Sequence, residues 1–188
     1  MTVHSVDRQT WLTKLERIKS LAARNQEIQF SNIGHIIDIE MLEGQYKELN
    51  GKKAIGIDGI TKAEYGKDLR GNISSLLTRI RRGKYQPKPA RITFIPKEDG
   101  SKRPLVISCF EDKIVESAIS KILDSIFEPI FLDSSFGFRP NKSAHDALRE
   151  LNKLTYAFNK RAVVEIDITK CFNQIRHKEL KEFLKKRI

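Results

Sequence analysis

The stretch ARITFIPKEDGSKRPLVIS, residues 90–108, limits what this chain can fold into more than any other part of it. Two β-rich runs, around 91–95 and 104–107, flank a turn containing Asp99-Gly100, the pattern of an antiparallel hairpin. Lys97, Lys102 and Arg103 lie on or beside that turn, with Lys97 and Arg103 on opposite arms. The segment before it, YQPKPA, is held extended by its prolines. After it, Ser108 and Glu111 have the spacing of a capping box. Ile114, Val115, Ala118, Ile119, Ile122, Leu123, Ile126 and Phe127 then repeat at three and four, a helix that Pro129 ends.

Helical patterns fill most of the remainder. Trp11, Leu12, Leu15, Ile18 and Ala22 form a stripe on a helix expected from about Asp7, and a second helix is expected over about 38–49. NGKKAIGIDGIT reads as a loop. Thr61 and Glu64 then cap a helix that breaks or kinks near Gly66 or Gly71 and ends at Gly83. Arg79, Arg81, Arg82 and Lys84 crowd its end, where they suit the helix dipole and could also hold phosphates. Ser143 with Asp146 caps a further helix carrying Leu148, Leu151 and Leu154. AVVEIDI, residues 162–168, reads as a strand, and a last helix is expected near 177–188. The order is helices, hairpin, two helices, strand, helix, which is α+β.

The chain has 188 residues, 35 Lys plus Arg against 24 Asp plus Glu, and a formal net charge of +11. Such a field draws polyanions, and nucleic acid is the favoured partner. No apolar run approaches the roughly 18 residues a membrane helix needs. The start, MTVHSVDRQT, lacks a signal-peptide pattern, so a cytoplasmic protein is expected. Cys109 and Cys171 have neither disulfide-motif nor zinc-ligand spacing and read as free buried thiols.

Three constellations could carry chemistry. Asp167, at the end of its strand and sharing a face with Glu165, is placed either to hold a hard cation by oxygen ligation or to serve as an ordinary strand-end residue. Lys97 and Arg103 could hold a triphosphate, one as a point charge and the other through its planar fork. In FGFRP, Phe136 and Phe138 suit either base stacking or core filling, while Arg139 sits between Phe and Pro with a set direction.

Taken together, GIDGIT, YQPKPARITFIPKEDGSKRPLVIS, EDKIVESAISKIL, SSFGFRPNKSAHDAL and VVEIDITKCFNQIRH resemble successive N-terminal blocks of the reverse transcriptases of bacterial group II introns, also called maturases. The resemblance covers roughly residues 36–188. It implies the fingers and part of the palm of a right-hand polymerase: a basic helical extension over 1–50, fingers with a nucleotide-gripping hairpin over 51–109, and fingers and palm helices with the first palm strand over 110–188. It further implies that Asp167 and the Ile168 carbonyl bind metal, two Mg²⁺ ions in the intact enzyme, with Asp167 catalytic. Phe172 would exclude a ribose 2′-hydroxyl, Lys97 and Arg103 would grip the incoming dNTP, and Arg139 would lie near the template. Arg79, Arg81 and Arg82 are the basic residues expected to anchor RNA.

The implied partners are intron RNA, an RNA template, a DNA primer and dNTP, with no membrane. This chain has DITKCFNQI where the family usually has DIKGFFDNI, so Cys171 replaces an aromatic and Asn173 an acid. No Asp-Asp pair occurs in the chain, and the fragment alone is expected to be inactive as a polymerase. Exposed sheet edge and core in a cut palm would favour a homodimer. Two other readings remain: a non-catalytic RNA-binding module, and the reverse transcriptase of a retron, diversity-generating or CRISPR-associated system.

Overall fold

The computed structural model describes residues 10–98, 100–157, 162 and 164–188. It is mostly helical, with one two-stranded antiparallel sheet, as the α+β reading expects. The chain divides into two compact units. The first comprises residues 1–18 and 32–124, and the second residues 19–31 and 125–188.

In the first unit, α1 (Trp11–Arg24) begins after Thr10, whose hydroxyl accepts the Thr13 N–H at 3.4 Å. The expected start at Asp7 lies outside the described residues. Trp11, Leu15 and Ile18 are buried, whereas Leu12 stands one step round the helix and is exposed. α2 (Ile39–Glu48) is capped by Asp38, whose side chain accepts the Met41 N–H at 2.9 Å. Its buried face is Met41, Leu42 and Gln45, and the Gln45 amide oxygen accepts the Ser117 hydroxyl at 2.7 Å.

The Thr61 hydroxyl accepts the Glu64 N–H at 3.1 Å, the N-cap half of the expected box, and starts α3 (Lys62–Tyr65). A 3-10 turn over Gly66–Asp68 interrupts the helix. Asp68 then caps α4 (Leu69–Arg81) by accepting the Gly71 N–H at 3.2 Å. So the expected break falls at Gly66, and Gly83 ends the element at φ +64°. α4 packs on α2 through Ile73, Leu76 and Leu77. Tyr46, Tyr65 and Phe110 cluster with ring centroids 5.6–6.3 Å apart.

β1 (Arg91–Pro96) and β2 (Lys102–Ile107) pair in the register Arg91 with Ile107 through Pro96 with Lys102. Gly100 adopts φ +77° in the connecting turn, and Asp99 lies outside the described residues. Most side chains on both faces are exposed, including Ile92, Phe94 and Val106, so the hairpin projects from its roots.

Those roots are tied to α5 (Phe110–Phe127). Asp112, almost wholly buried, accepts the Tyr85 hydroxyl at 2.5 Å and the Lys88 N–H at 3.1 Å. Glu111 accepts Tyr65 and Arg79 at 3.2 and 2.8 Å. Both acids sit in the first turn of α5, where the helix dipole favours negative charge. The loop Gly56–Gly59 lies against the same turn. A Cβ at residue 56 would stand 2.6 Å from the Cys109 Cα, so only glycine fits there without movement.

The capping box expected between Ser108 and Glu111 does not form. The Ser108 hydroxyl bonds Glu116 at 2.7 Å, while Glu111 is engaged by Arg79 and Tyr65. Long-range partners outcompete the local cap.

In the second unit, a 3-10 turn over Glu128–Ile130 follows α5 and leads through a loop to α6 (Ala144–Ala157). Here the expected cap is reciprocal: the Asp146 N–H donates to the Ser143 hydroxyl and the Ser143 N–H to the Asp146 carboxylate. The Ser143 hydroxyl, and after it the Arg149 guanidinium, hold the Asp146 carboxyl down at about 2.

Residues 164–168 form no strand, which corrects the sequence expectation. Val164, Ile166 and Ile168 are exposed. Alternating apolar residues specify a strand only when a neighbour accepts its backbone groups. Among the described residues the single strand pair is β1 with β2. α7 (Cys171–Gln174) and α8 (His177–Lys185) follow, the second being the expected last helix. Cys109 is buried as expected, but Cys171 is exposed. No helix among the described residues is long and apolar enough to cross a membrane.

Candidate functional site

The hairpin tip is the first part of the site. Its ladder continues into the turn through the Lys97 N–H, which donates to the Ser101 carbonyl at 2.8 Å. Ile95 pairs with Arg103, so Lys97, two residues beyond Ile95, falls on the same sheet face as Arg103. The sequence places the two cations on opposite arms, and the register makes them diagonal neighbours. Both are exposed. Lys102 falls on the other face with Pro96.

The end of α4 is the second part. Arg79 is drawn back to Glu111, whereas Arg81 and Arg82 are exposed. Arg81 also borders an open cleft of about 610 Å³, with Lys14, Arg70 and the acids Asp38, Glu40 and Glu43. A second hollow, of about 400 Å³, is bordered by Asp58, Lys88, Arg79 and Glu111. Burial pushes the Asp58 carboxyl up, but the Lys88 ammonium at 3.0 Å and the Ile60 N–H outweigh it and leave it below its usual range. Two ion pairs border that hollow, Lys88 with Asp58 and Arg79 with Glu111, which sequence reading missed because the partners are 30 and 32 residues apart.

In the second unit, Asp167 is exposed, just before a turn at Thr169-Lys170 in which Lys170 has φ +52°. Ile168 and Phe172 are exposed too, with Phe172 on the single turn α7. No group of three or more His, Cys, Asp or Glu side chains is placed to hold a metal ion among the described residues. A carboxylate and a carbonyl are hard oxygen donors that suit Mg²⁺, but Asp167 and Ile168 do not make a two-ion site by themselves.

Arg139 points inward. Its Nε and Nη2 donate to the Glu128 carboxylate at 2.9–3.2 Å. Its Nη1 donates to the carbonyls of Leu132 and Ser135 at 2.7 and 2.8 Å. The guanidinium also lies over the Phe131 ring, 5.3 Å from its centre. The side chains of Arg139 and Glu128 are 8% and 16% exposed. Phe136 and Phe138 part ways: Phe136 is half-buried under the Lys142 ammonium at 5.1 Å, and Phe138 is fully exposed.

Residues 95–187, from the hairpin to the end of α8, match the family described as reverse transcriptase (RNA-dependent DNA polymerase). This part of the chain is a reverse transcriptase domain. Its curated relatives include the group II intron-encoded protein LtrA of Lactococcus lactis subsp. cremoris, 33% identical over 165 residues. That alignment takes in 87% of this chain and 27% of LtrA. Protein YkfC of Escherichia coli K12 is 35% identical over 141 residues, 73% of this chain and 37% of YkfC. A putative COX1/OXI3 intron 1 protein of Saccharomyces cerevisiae is 32% identical over 165 residues, 85% of this chain and 20% of that protein. The chain therefore spans about a quarter of the length of LtrA and about a third of YkfC.

Proposed function

We propose that this chain is the nucleotide- and template-handling part of an RNA-directed DNA polymerase of the group II intron class, a protein that also binds intron RNA as a maturase. Likeness to an intron-encoded protein along 87% of the chain carries this reading. The hairpin supports it, because Lys97 and Arg103 share one exposed face at the tip of a projecting ribbon. In this reading they grip the triphosphate of an incoming dNTP, Arg103 by its planar fork and Lys97 as a mobile charge.

In this reading Asp167 and the Ile168 carbonyl would serve as oxygen donors to Mg²⁺, and further ligands would complete the two-ion site. When bound, such ions supply charge stabilisation for phosphoryl transfer. In this reading Phe172 excludes a ribose 2′-hydroxyl. Arg81 and Arg82 anchor RNA through phosphates, and Arg79 works from its tie to Glu111. Arg139 serves template binding by fixing its loop, since its donors are used within the protein.

The test is incorporation of labelled dNTP on an RNA template with a DNA primer, by the protein as the cell makes it. Asp167→Asn is expected to abolish incorporation, and Phe172→Ala to admit ribonucleotides. Lys97→Ala is expected to raise KM for dNTP about tenfold, the loss of one charged contact of about 1.4 kcal/mol. Wild-type protein that binds neither RNA nor dNTP would sink the reading.

A further inference from the structure

Phe138 is a bulky residue in a conformation that suits glycine. Its φ is +57°, in the left-handed region where an aromatic is a clear outlier. The residue is fully exposed, at 104% against 80% for Phe172 and 47% for Phe131, so packing does not offset that strain. The loop is nonetheless fixed. Arg139, the next residue, uses its whole guanidinium on Glu128 and on the Leu132 and Ser135 carbonyls. On the other side, the reciprocal cap between Ser143 and Asp146 starts α6. A buried ion pair and a helix cap thus hold an aromatic ring in water.

We propose that Phe138 is a stacking platform for an unpaired base of a bound nucleic-acid strand, and that the Arg139–Glu128 pair is the positioning element that presents it. The proposal rests on the reading above that the chain handles nucleic acid. A base fits this ring because stacking needs only a free π-face and is tolerant of sequence. A cation stands close by, since Lys142 lies over the neighbouring Phe136 and can meet the adjoining phosphate. The net charge of +11 favours a strand over a neutral apolar partner.

Binding of single-stranded RNA carrying a fluorescent aminopurine at successive positions tests this with the whole chain. The wild type is expected to quench the probe at one position. Phe138→Ala, which removes no internal contact, is expected to lose that quench and to weaken binding roughly five- to a hundred-fold. Phe138→Trp is expected to restore both. Phe138→Gly is expected to bind as weakly as alanine yet melt at a higher temperature than the wild type, because the strain is gone. Glu128→Gln is expected to reduce the quench with the ring still present.

Equal affinity and equal quench for wild type and Phe138→Ala would overturn the proposal while leaving the chain an RNA binder. Failure of the wild type to bind any strand would overturn this proposal and the reading beneath it together. Loss of self-association on sedimentation, with RNA binding unchanged, would make Phe138 a protein contact and refute stacking.

Discussion

Replacing Arg139 by methionine isolates the energetics of the loop that carries Phe138. The substitution keeps an unbranched, shorter side chain and removes the charge. It strands the Glu128 carboxylate, and breaking one side of a buried pair costs about 3–5 kcal/mol. Glu128 retains 16% exposure, which places the value near the lower end. The Leu132 and Ser135 carbonyls belong to exposed residues and rehydrate, so they add little. About 3 kcal/mol is therefore expected for Arg139→Met, and a similar loss for Glu128→Met.

The double substitution leaves no stranded charge and is expected to cost about 1–2 kcal/mol, a strong departure from additivity. Trp11, the single tryptophan, lies in the first unit and would report that unit. Hydrogen exchange of the 128–142 segment in low urea is the suitable probe. A loss of 3 kcal/mol makes exchange there roughly a hundred-fold faster. Singles that add to within about 0.5 kcal/mol of the double, or an Arg139→Met effect below about 1 kcal/mol, would refute the assignment of this pair as the lock.

Gly56→Ala places a Cβ 2.6 Å from the Cys109 Cα and is expected to destabilise the first unit by about 1–3 kcal/mol. A urea titration followed by Trp11 fluorescence checks it, and an unchanged midpoint would remove the close approach. Asp146 is held at about 2, below the usual carboxylate value of about 3.9. Its contribution to α6 is thus complete above about pH 4 and is lost as the pH falls through about 2. A carboxyl titration followed by NMR would show a midpoint near 3.9 if the Ser143 and Arg149 contacts were absent.

Local signals made much of this fold legible. The α5 helix, the hairpin and the caps at Thr61 and Ser143 all rest on neighbours within a few residues, and all four form, with Ile119 of the α5 stripe left exposed. What escaped was decided at long range. Ser108 has the right spacing for a cap but prefers Glu116, because Glu111 is engaged by Arg79 and Tyr65. Gln45 is fully buried on α2, and its partner Ser117 lies 72 positions on. The apolar alternation at 164–168 failed as a strand for lack of a paired neighbour. At the site, Lys97 and Arg103 were visible as turn cations, but their common face follows only from the register. Arg139 was visible as a directed arginine, and its inward direction depends on Glu128, eleven residues earlier.

The Asp112 ties at the roots of the hairpin make it a cantilever. Tyr85 and Lys88 clamp the incoming strand to α5, Cys109 seats the outgoing one against Gly56, and beyond them β1 and β2 bond to each other. In a beam clamped at one end, a small load at the tip produces its largest bending moment at the support. A ligand pulling on Lys97 and Arg103 would therefore be felt most sharply in the first turn of α5, about six residues of strand away, where a buried carboxylate holds both the tyrosine and the backbone of the root.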